Sequence, residues 1–175
     1  MRSIGVLLLV ALVMGGCQGK HSRTAVQNEE PADAPGISST VKMNNPATAA
    51  QLVKGFYGIE GNSWRWTARE FSVNLKPPLT SAQSGATVTL ALTVPDVTIQ
   101  KAGTVKLTAS VGGKDLKTET YSKPGPYTFA ADIPAAELTK DTVRIDFKLD
   151  KAIPPGPGDG RELGVIAASV GLESK

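Results

Sequence analysis

Beyond Ala50, apolar and polar positions alternate with a period of two. Phe71, Val73 and Leu75 alternate with polar residues, and Ala86, Val88, Leu90, Leu92 and Val94 repeat the pattern over a longer stretch. That period belongs to strands with one buried and one solvated face. Val105, Leu107, Ala109 and Val111 run into Gly112-Gly113, a hairpin turn signal, and Lys114 to Tyr121 returns. The return is mostly polar and is expected at a sheet edge, where lysines discourage further pairing. Tyr127, Phe129, Ala131 and Ile133 form another alternating set, as do Val143, Ile145, Phe147 and Leu149, and an apolar segment runs from Leu163 to Leu172. Between the first two of these, Pro134-Ala135-Ala136-Glu137-Leu138 predicts one helical turn with proline at its start. With Trp64 to Thr67 the pattern predicts about eight strands and almost no helix, hence an all-β antiparallel sandwich. Eight strands suit a jelly-roll-like arrangement, with an immunoglobulin-like sandwich as the alternative. No segment repeats at a fixed period, which argues against a propeller or solenoid.

The first fifty residues read differently. Met1-Arg2 is followed by an apolar run from Ile4 to Met14 and then Gly15-Gly16-Cys17, the charged start, apolar middle and small-residue exit of a secretory signal. The run falls short of the roughly 18 apolar residues that a spanning helix needs. From Gln18 to about Ala50 the chain is rich in Ser, Thr, Ala, Asn, Glu and Pro, with no aromatic and no sustained apolar period. Such a segment buries too little surface to offset its ordering entropy and is expected to be a disordered tether with a reach of about 30 Å.

Met14-Gly15-Gly16-Cys17 resembles the lipobox of bacterial lipoprotein precursors, with Met14 where Leu is most common. The resemblance implies that Cys17 receives a diacylglyceryl group and becomes the acylated N-terminus. It also implies an exported protein attached to a membrane of the cell envelope, the outer one being favoured because Gln18 is not Asp. An ordinary secreted protein with a free Cys17 thiol is the alternative. The expected organisation is a signal peptide over 1–16, a lipidated N-terminus and tether over 17–50, and a sandwich over 51–175.

Composition narrows the chemistry. The chain has 175 residues, one Cys and one His, which excludes an internal disulfide framework and a Cys/His zinc site. His21 lies in the tether and is not placed to serve a Ser-His-Asp triad in the sandwich. The net charge of +3 gives no basic surface of the kind nucleic-acid binders use. No cofactor, resident metal or nucleic-acid partner is expected.

Two clusters remain. Gly55-Phe56-Tyr57-Gly58-Ile59-Glu60-Gly61-Asn62-Ser63-Trp64-Arg65-Trp66-Thr67 holds both tryptophans. In a strand, Trp64 and Trp66 share one face about 7 Å apart and Arg65 takes the other. Exposed, they are stacking plates for sugar rings; buried, they are core, and the core placement is the expectation, with Tyr57 nearer the rim. Pro154-Pro155-Gly156-Pro157-Gly158-Asp159-Gly160-Arg161-Glu162-Leu163-Gly164 lacks the spacing of a phosphate loop and reads as a rigid connection. Arg161 and Glu162 are positioned to pair with Glu60 or Arg65. Glu60 with Asp159 or Glu162 would be the carboxylate pair of a glycan hydrolase, and Asp159 alone a weak calcium candidate.

Taken together, Gly55-Phe56-Tyr57, Glu60 and Trp64-Arg65-Trp66-Thr67 at one end, with Asp159-Gly160-Arg161-Glu162-Leu163-Gly164-Val165 at the other, resemble a β-sandwich accessory module of bacterial glycosyltransferases and envelope-glycan proteins. The resemblance implies a jelly-roll-like domain and brings no catalytic residues. The expected function is therefore a non-catalytic envelope lipoprotein that presents an interaction module for an envelope glycan or protein. Alternatives are a carbohydrate-binding module and, less directly, a small glycan hydrolase; the candidate binding residues are Tyr57, Glu60, Trp64, Trp66, Arg161 and Glu162.

Overall fold

The computed structural model describes residues 36–175. The leader, Cys17 and the first half of the expected tether lie outside the described residues. Among the described residues nine strands are present: β1 Thr40–Lys42, β2 Leu52–Glu60, β3 Trp64–Leu75, β4 Ala86–Val94, β5 Val105–Val111, β6 Lys114–Tyr121, β7 Gly125–Ile133, β8 Val143–Leu149 and β9 Ile166–Ser174. Two short α-helices, α1 Ser81–Ser84 and α2 Asp96–Ala102, lie in connections, and the proline-led turn is a 3₁₀ turn at Ala135–Glu137. Among the described residues no helix is long and apolar enough to cross a membrane.

All strand pairs are antiparallel. One layer runs β3-β8-β5-β6 and the other β1-β9-β4-β7. This is the strand order of a jelly roll, with successive strands switching layers except at the β5–β6 hairpin and at the β2–β3 hairpin, and it excludes the immunoglobulin order. β2 is an addition, laid along the outside of β3. Gly112 and Gly113 take φ of 58° and 81° in the β5–β6 turn, the left-handed pair that a two-residue hairpin of matching twist requires. β6 ends its layer, as its lysines and polar pattern predict.

The inward positions are those of the alternation. Phe71, Val73, Leu90, Leu107, Phe129, Ile145, Phe147 and Val170 are fully or almost fully buried in one core. Phe147 stacks on Phe71 within its own layer, 5.0 Å between centroids, and meets Phe129 of the opposite layer edge to face at 6.2 Å. At the seam between β6 and β7, Lys117 donates to the Ala130 carbonyl (3.0 Å) and its ammonium lies 5.5 Å from the Phe129 ring centre. The two layers are also joined through β3, which is one continuous strand. Its C-terminal half pairs with β8 from Glu70 to Leu75, while Arg65 and Trp66 pair with Ala167 and Ile166 of β9.

The sandwich begins earlier than the sequence pattern predicts. Residues 36–50, assigned to the tether, belong to the fold: β1 pairs with β9 from Thr40↔Gly171 to Lys42↔Ser169, and Val41 and Met43 are buried. Gln51 fixes this segment by accepting from Ser38 N (3.0 Å) and donating to the Ser38 and Asn74 carbonyls (2.9 and 2.8 Å). Two apolar side chains spaced by one residue are too few to stand out as a period, yet they close the edge of β9 that β3 leaves open.

Candidate functional site

The two glycine-rich clusters fold against each other. Gly55 has φ of 74° and lies where register shifts interrupt the β2–β3 ladder; a Cβ there would fall onto the Glu70 carbonyl oxygen. That irregularity lets β2 cross close over β3. At the other end, Gly164 donates to Thr67 O (2.7 Å), Thr67 N donates to Val165 O (2.8 Å), and Val165 N donates to the Thr67 hydroxyl (3.2 Å). A Cβ on Gly164 would sit 2.8 Å from the Ala68 carbonyl, so the residue type at this crossing is set by clearance. Thr98 of α2, fully buried, donates to the Gly164 carbonyl (3.1 Å) and ties the helix to the same point.

Around this crossing the structure brings together Tyr57, Glu60, Arg161 and Glu162. Arg161 donates to Glu60 Oε1 (2.7 Å) and to both oxygens of Asp159 (2.8 to 3.2 Å), and its guanidinium lies 5.2 Å from the Tyr57 ring centre. The Tyr57 hydroxyl donates to the Glu162 carbonyl (2.8 Å), and Glu162 Oε2 accepts from Arg69 N (3.0 Å). Side-chain and backbone donation from Arg161 holds the Asp159 carboxyl down to about 2. Each of these side chains is thus held by at least one of the others or by the backbone beside it. Tyr57 has its hydroxyl bonded and Arg161 against its ring, so it is a half-buried strut of a Tyr–Arg–carboxylate bridge. Both Asp159 oxygens are engaged by Arg161, so the residue is no calcium ligand in this arrangement, and among the described residues no three metal-ligating side chains converge.

The tryptophans are not core. Arg65, Thr67, Phe71, Val73 and Leu75 share one parity of β3, and Trp64 and Trp66 take the other. Both indoles are half-buried on the outer side, edge to face, 6.5 Å between centroids. Trp64 leans on the β2–β3 turn, where a Cβ on Gly61 would come within 2.8 Å of its ring nitrogen. Arg65 points the other way, its Nε donating to Met43 O (3.0 Å) and its Nη1 to Tyr57 O (2.7 Å), which locks β1, β2 and β3 together. The expectation of buried tryptophans fails because the segments around Trp64 and Phe71 are one strand. Counted continuously, the parity that buries Phe71 turns the indoles outward.

Beside Trp66 lies a surface that the two clusters did not reveal. In register across the layer, Trp66 faces Ile166, Ile166 faces Thr93 and Thr93 faces Pro126. The next row is Lys42, Ser169, Ala91 and Thr128, and the third is Thr40, Gly171, Thr89 and Ala130. Ala168 is the extra residue of a bulge between Ala91 and Leu92 partners. An open cleft of about 340 Å³ lies over this face, bounded by Ala91, Thr93, Pro126, Thr128 and Ala168 with Tyr127 at its side. The legible signal was the outward residues of β4, which are Thr, Thr, Ala and Thr where a solvated strand more often carries charge.

No family model and no curated protein sequence matches the chain. Among solved structures it is similar to a family GH115 4-O-methyl-α-glucuronidase with specificity for decorated arabinogalactans, at 11% identity and a TM-score of 0.48 over 79% of this chain, of which it spans only 18% of the enzyme's length. It is also similar to TmCBM27, a carbohydrate-binding module with specific mannan recognition, at 11% identity and a TM-score of 0.46 over 79% of this chain and 97% of the module. A third is CsCBM6-3 from Clostridium stercorarium in complex with cellobiose, at 13% identity and a TM-score of 0.41 over 79% of this chain and 95% of the module.

Proposed function

We propose that the chain is an envelope lipoprotein, anchored through an acylated Cys17, whose sandwich is a non-catalytic glycan-binding module. The observation that carries glycan binding is the outward placement of Trp64 and Trp66. An indole is the largest apolar group available to a small core, and leaving two of them half-exposed on a sheet face forgoes that burial. An aromatic face at a surface offers the flat apolar platform on which a sugar ring stacks. Catalysis is disfavoured by the fate of the acids. Two-carboxylate glycoside hydrolysis needs a protonated acid and a free second carboxylate, whereas Glu60 and Asp159 both bind Arg161 and Asp159 is held near 2.

The test uses the full chain carrying Cys17→Ser, screened on a glycan array and followed by calorimetric titration. Trp64→Ala and Trp66→Ala should leave the fold intact and weaken binding by about 1–3 kcal/mol per lost stacking contact, by analogy with base–aromatic stacking. Unfolding of both variants, or undiminished glycan binding, would return the indoles to a structural role. Lipid attachment has its own assay. Cys17→Ser should move the protein from the membrane to the soluble fraction, and retention on the membrane with no lipid on the wild-type N-terminus would sink the anchor.

A further inference from the structure

Resting on the glycan-binding reading, the geometry points to one site and one ligand class: the outer face of the β1-β9-β4-β7 layer, beside Trp66, takes an uncharged glycan chain laid across the strands. The row from Trp66 through Ile166 and Thr93 to Pro126 crosses four strands, about 14 Å, the length of a short oligosaccharide. Trp66 stands at one end of the row and the cleft of about 340 Å³ opens at the other. The floor between them is low because its side chains are small. Gly171 in the third row has no side chain and is covered by its neighbours, a Cβ there lying 3.2 Å from the Thr40 hydroxyl and 3.6 Å from that of Thr89.

Charge selects the occupant. In the three rows nearest Trp66 the one ionised side chain is Lys42, at the rim; Asp132 and Glu173 enter only in the fourth row. The hydroxyls of Thr93 and Thr128 each offer a donor and acceptors, the pairing that sugar hydroxyls satisfy in either direction. A charged peptide, a nucleic acid or a uronate polymer would meet one counter-charge at most, Lys42 at the rim, and would lose hydration with little compensation. The ionised groups of the opposite layer are already paired with one another, as in Lys54–Glu70 and Arg144–Asp146.

The experiment titrates the full chain carrying Cys17→Ser with neutral tetra- to hexasaccharides of glucan, mannan and xylan, and with oligogalacturonate as the charged counterpart. At least one neutral oligosaccharide should bind, with a dissociation constant that changes less than twofold between low and high salt. Thr128→Glu and Ala168→Glu, both exposed strand positions, should each weaken it tenfold or more while circular dichroism and melting temperature stay at wild-type values. Glu70→Lys, on the opposite layer, should change nothing. Neutral binding that survives both face variants, or a clear preference for oligogalacturonate, overturns this site and leaves glycan binding standing. Failure of every glycan to bind overturns both.

Discussion

The two layers of the sandwich share the same inward alternation and differ on their outer faces. On the β3-β8-β5-β6 layer the outward side chains are largely ionised and paired. Glu70 bridges Lys54 (3.2 Å) and Lys148 (3.5 Å), and Asp146 accepts from Ser72 (2.6 Å) and Arg144 (2.9 Å). The ion pairs among these contacts are exposed and compensate one another, the condition of a face meant for water. On the β1-β9-β4-β7 layer the three rows nearest Trp66 carry Thr, Ala, Ser, Gly, Ile and Pro with Lys42 alone ionised, and two indoles stand at one side. The lesson is that binary patterning specifies which side is buried, while the chemistry of the outward residues separates a solvated face from a face suited to a ligand.

The comparison breaks most severely where the edge strands are held. Gly55→Ala places a Cβ on the Glu70 carbonyl in a backbone of φ 74°, so β2 should separate from β3 and take Tyr57 and Glu60 with it. We expect a loss of about 3 kcal/mol or more in denaturant unfolding, or no folded protein at all. A melting temperature unchanged from wild type would show that β2 crosses β3 some other way.

A smaller effect is expected at the opposite edge. Val41→Ala removes two methyl groups from a fully buried site on β1 and should cost about 2 kcal/mol by the same measurement. If it costs nothing, the first strand is dispensable and the layer with the neutral face has three strands in practice.

Acid should act on the bridge between the clusters before it acts on the neutral face. The Asp159 carboxyl is lowered from 3.8 to about 2 by Arg161, so its contribution to stability is complete above about pH 4 and is lost as the pH falls toward 2. Asp159→Asn should lower the melting temperature at neutral pH, and the gap from wild type should close across that window. A gap that is constant from neutral pH to 2 would assign the bridge no linkage to folding.

The smallest effect belongs to the charged face. Hydrogen bonding from Lys54, then from Lys148, lowers the Glu70 carboxyl, yet all three groups are exposed. Glu70→Gln should leave the melting temperature within error in moderate salt and leave glycan titrations untouched. A marked loss of either would mean that the two faces are not independent.

Much of the architecture was legible because burial on one side of a strand writes itself as alternation. The inward sets from Phe71 to Leu149, the Gly112-Gly113 hairpin, the polar edge strand and the proline-led turn stand in the structure where the pattern placed them. β1 was not legible, since a three-residue strand with Val41 inward and a buried Met43 just after it has no period to detect. α2 escaped for the same reason, although Pro95 before it, Asp96 in its first turn and Gly103 after it are start and stop signals. The pairing of Arg161 with Glu60 was anticipated as one of several possibilities across a loop; its place on the Tyr57 ring was not.

By itself the sequence determined the inward sets from Phe71 to Leu149, that the layers are antiparallel, and that the two glycine-rich clusters carry charges able to pair, because alternation, turn residues and charge are local properties. Tertiary structure alone decided that the clusters meet, that β3 runs unbroken from Trp64 to Leu75, and that three outward rows, with Lys42 as their one ionised side chain, come to lie side by side. The physical reason is that register between distant strands is set by the packing of the whole core. A one-residue change in where a strand is taken to begin carries every side chain from one face to the other, and with it the indoles from core to surface.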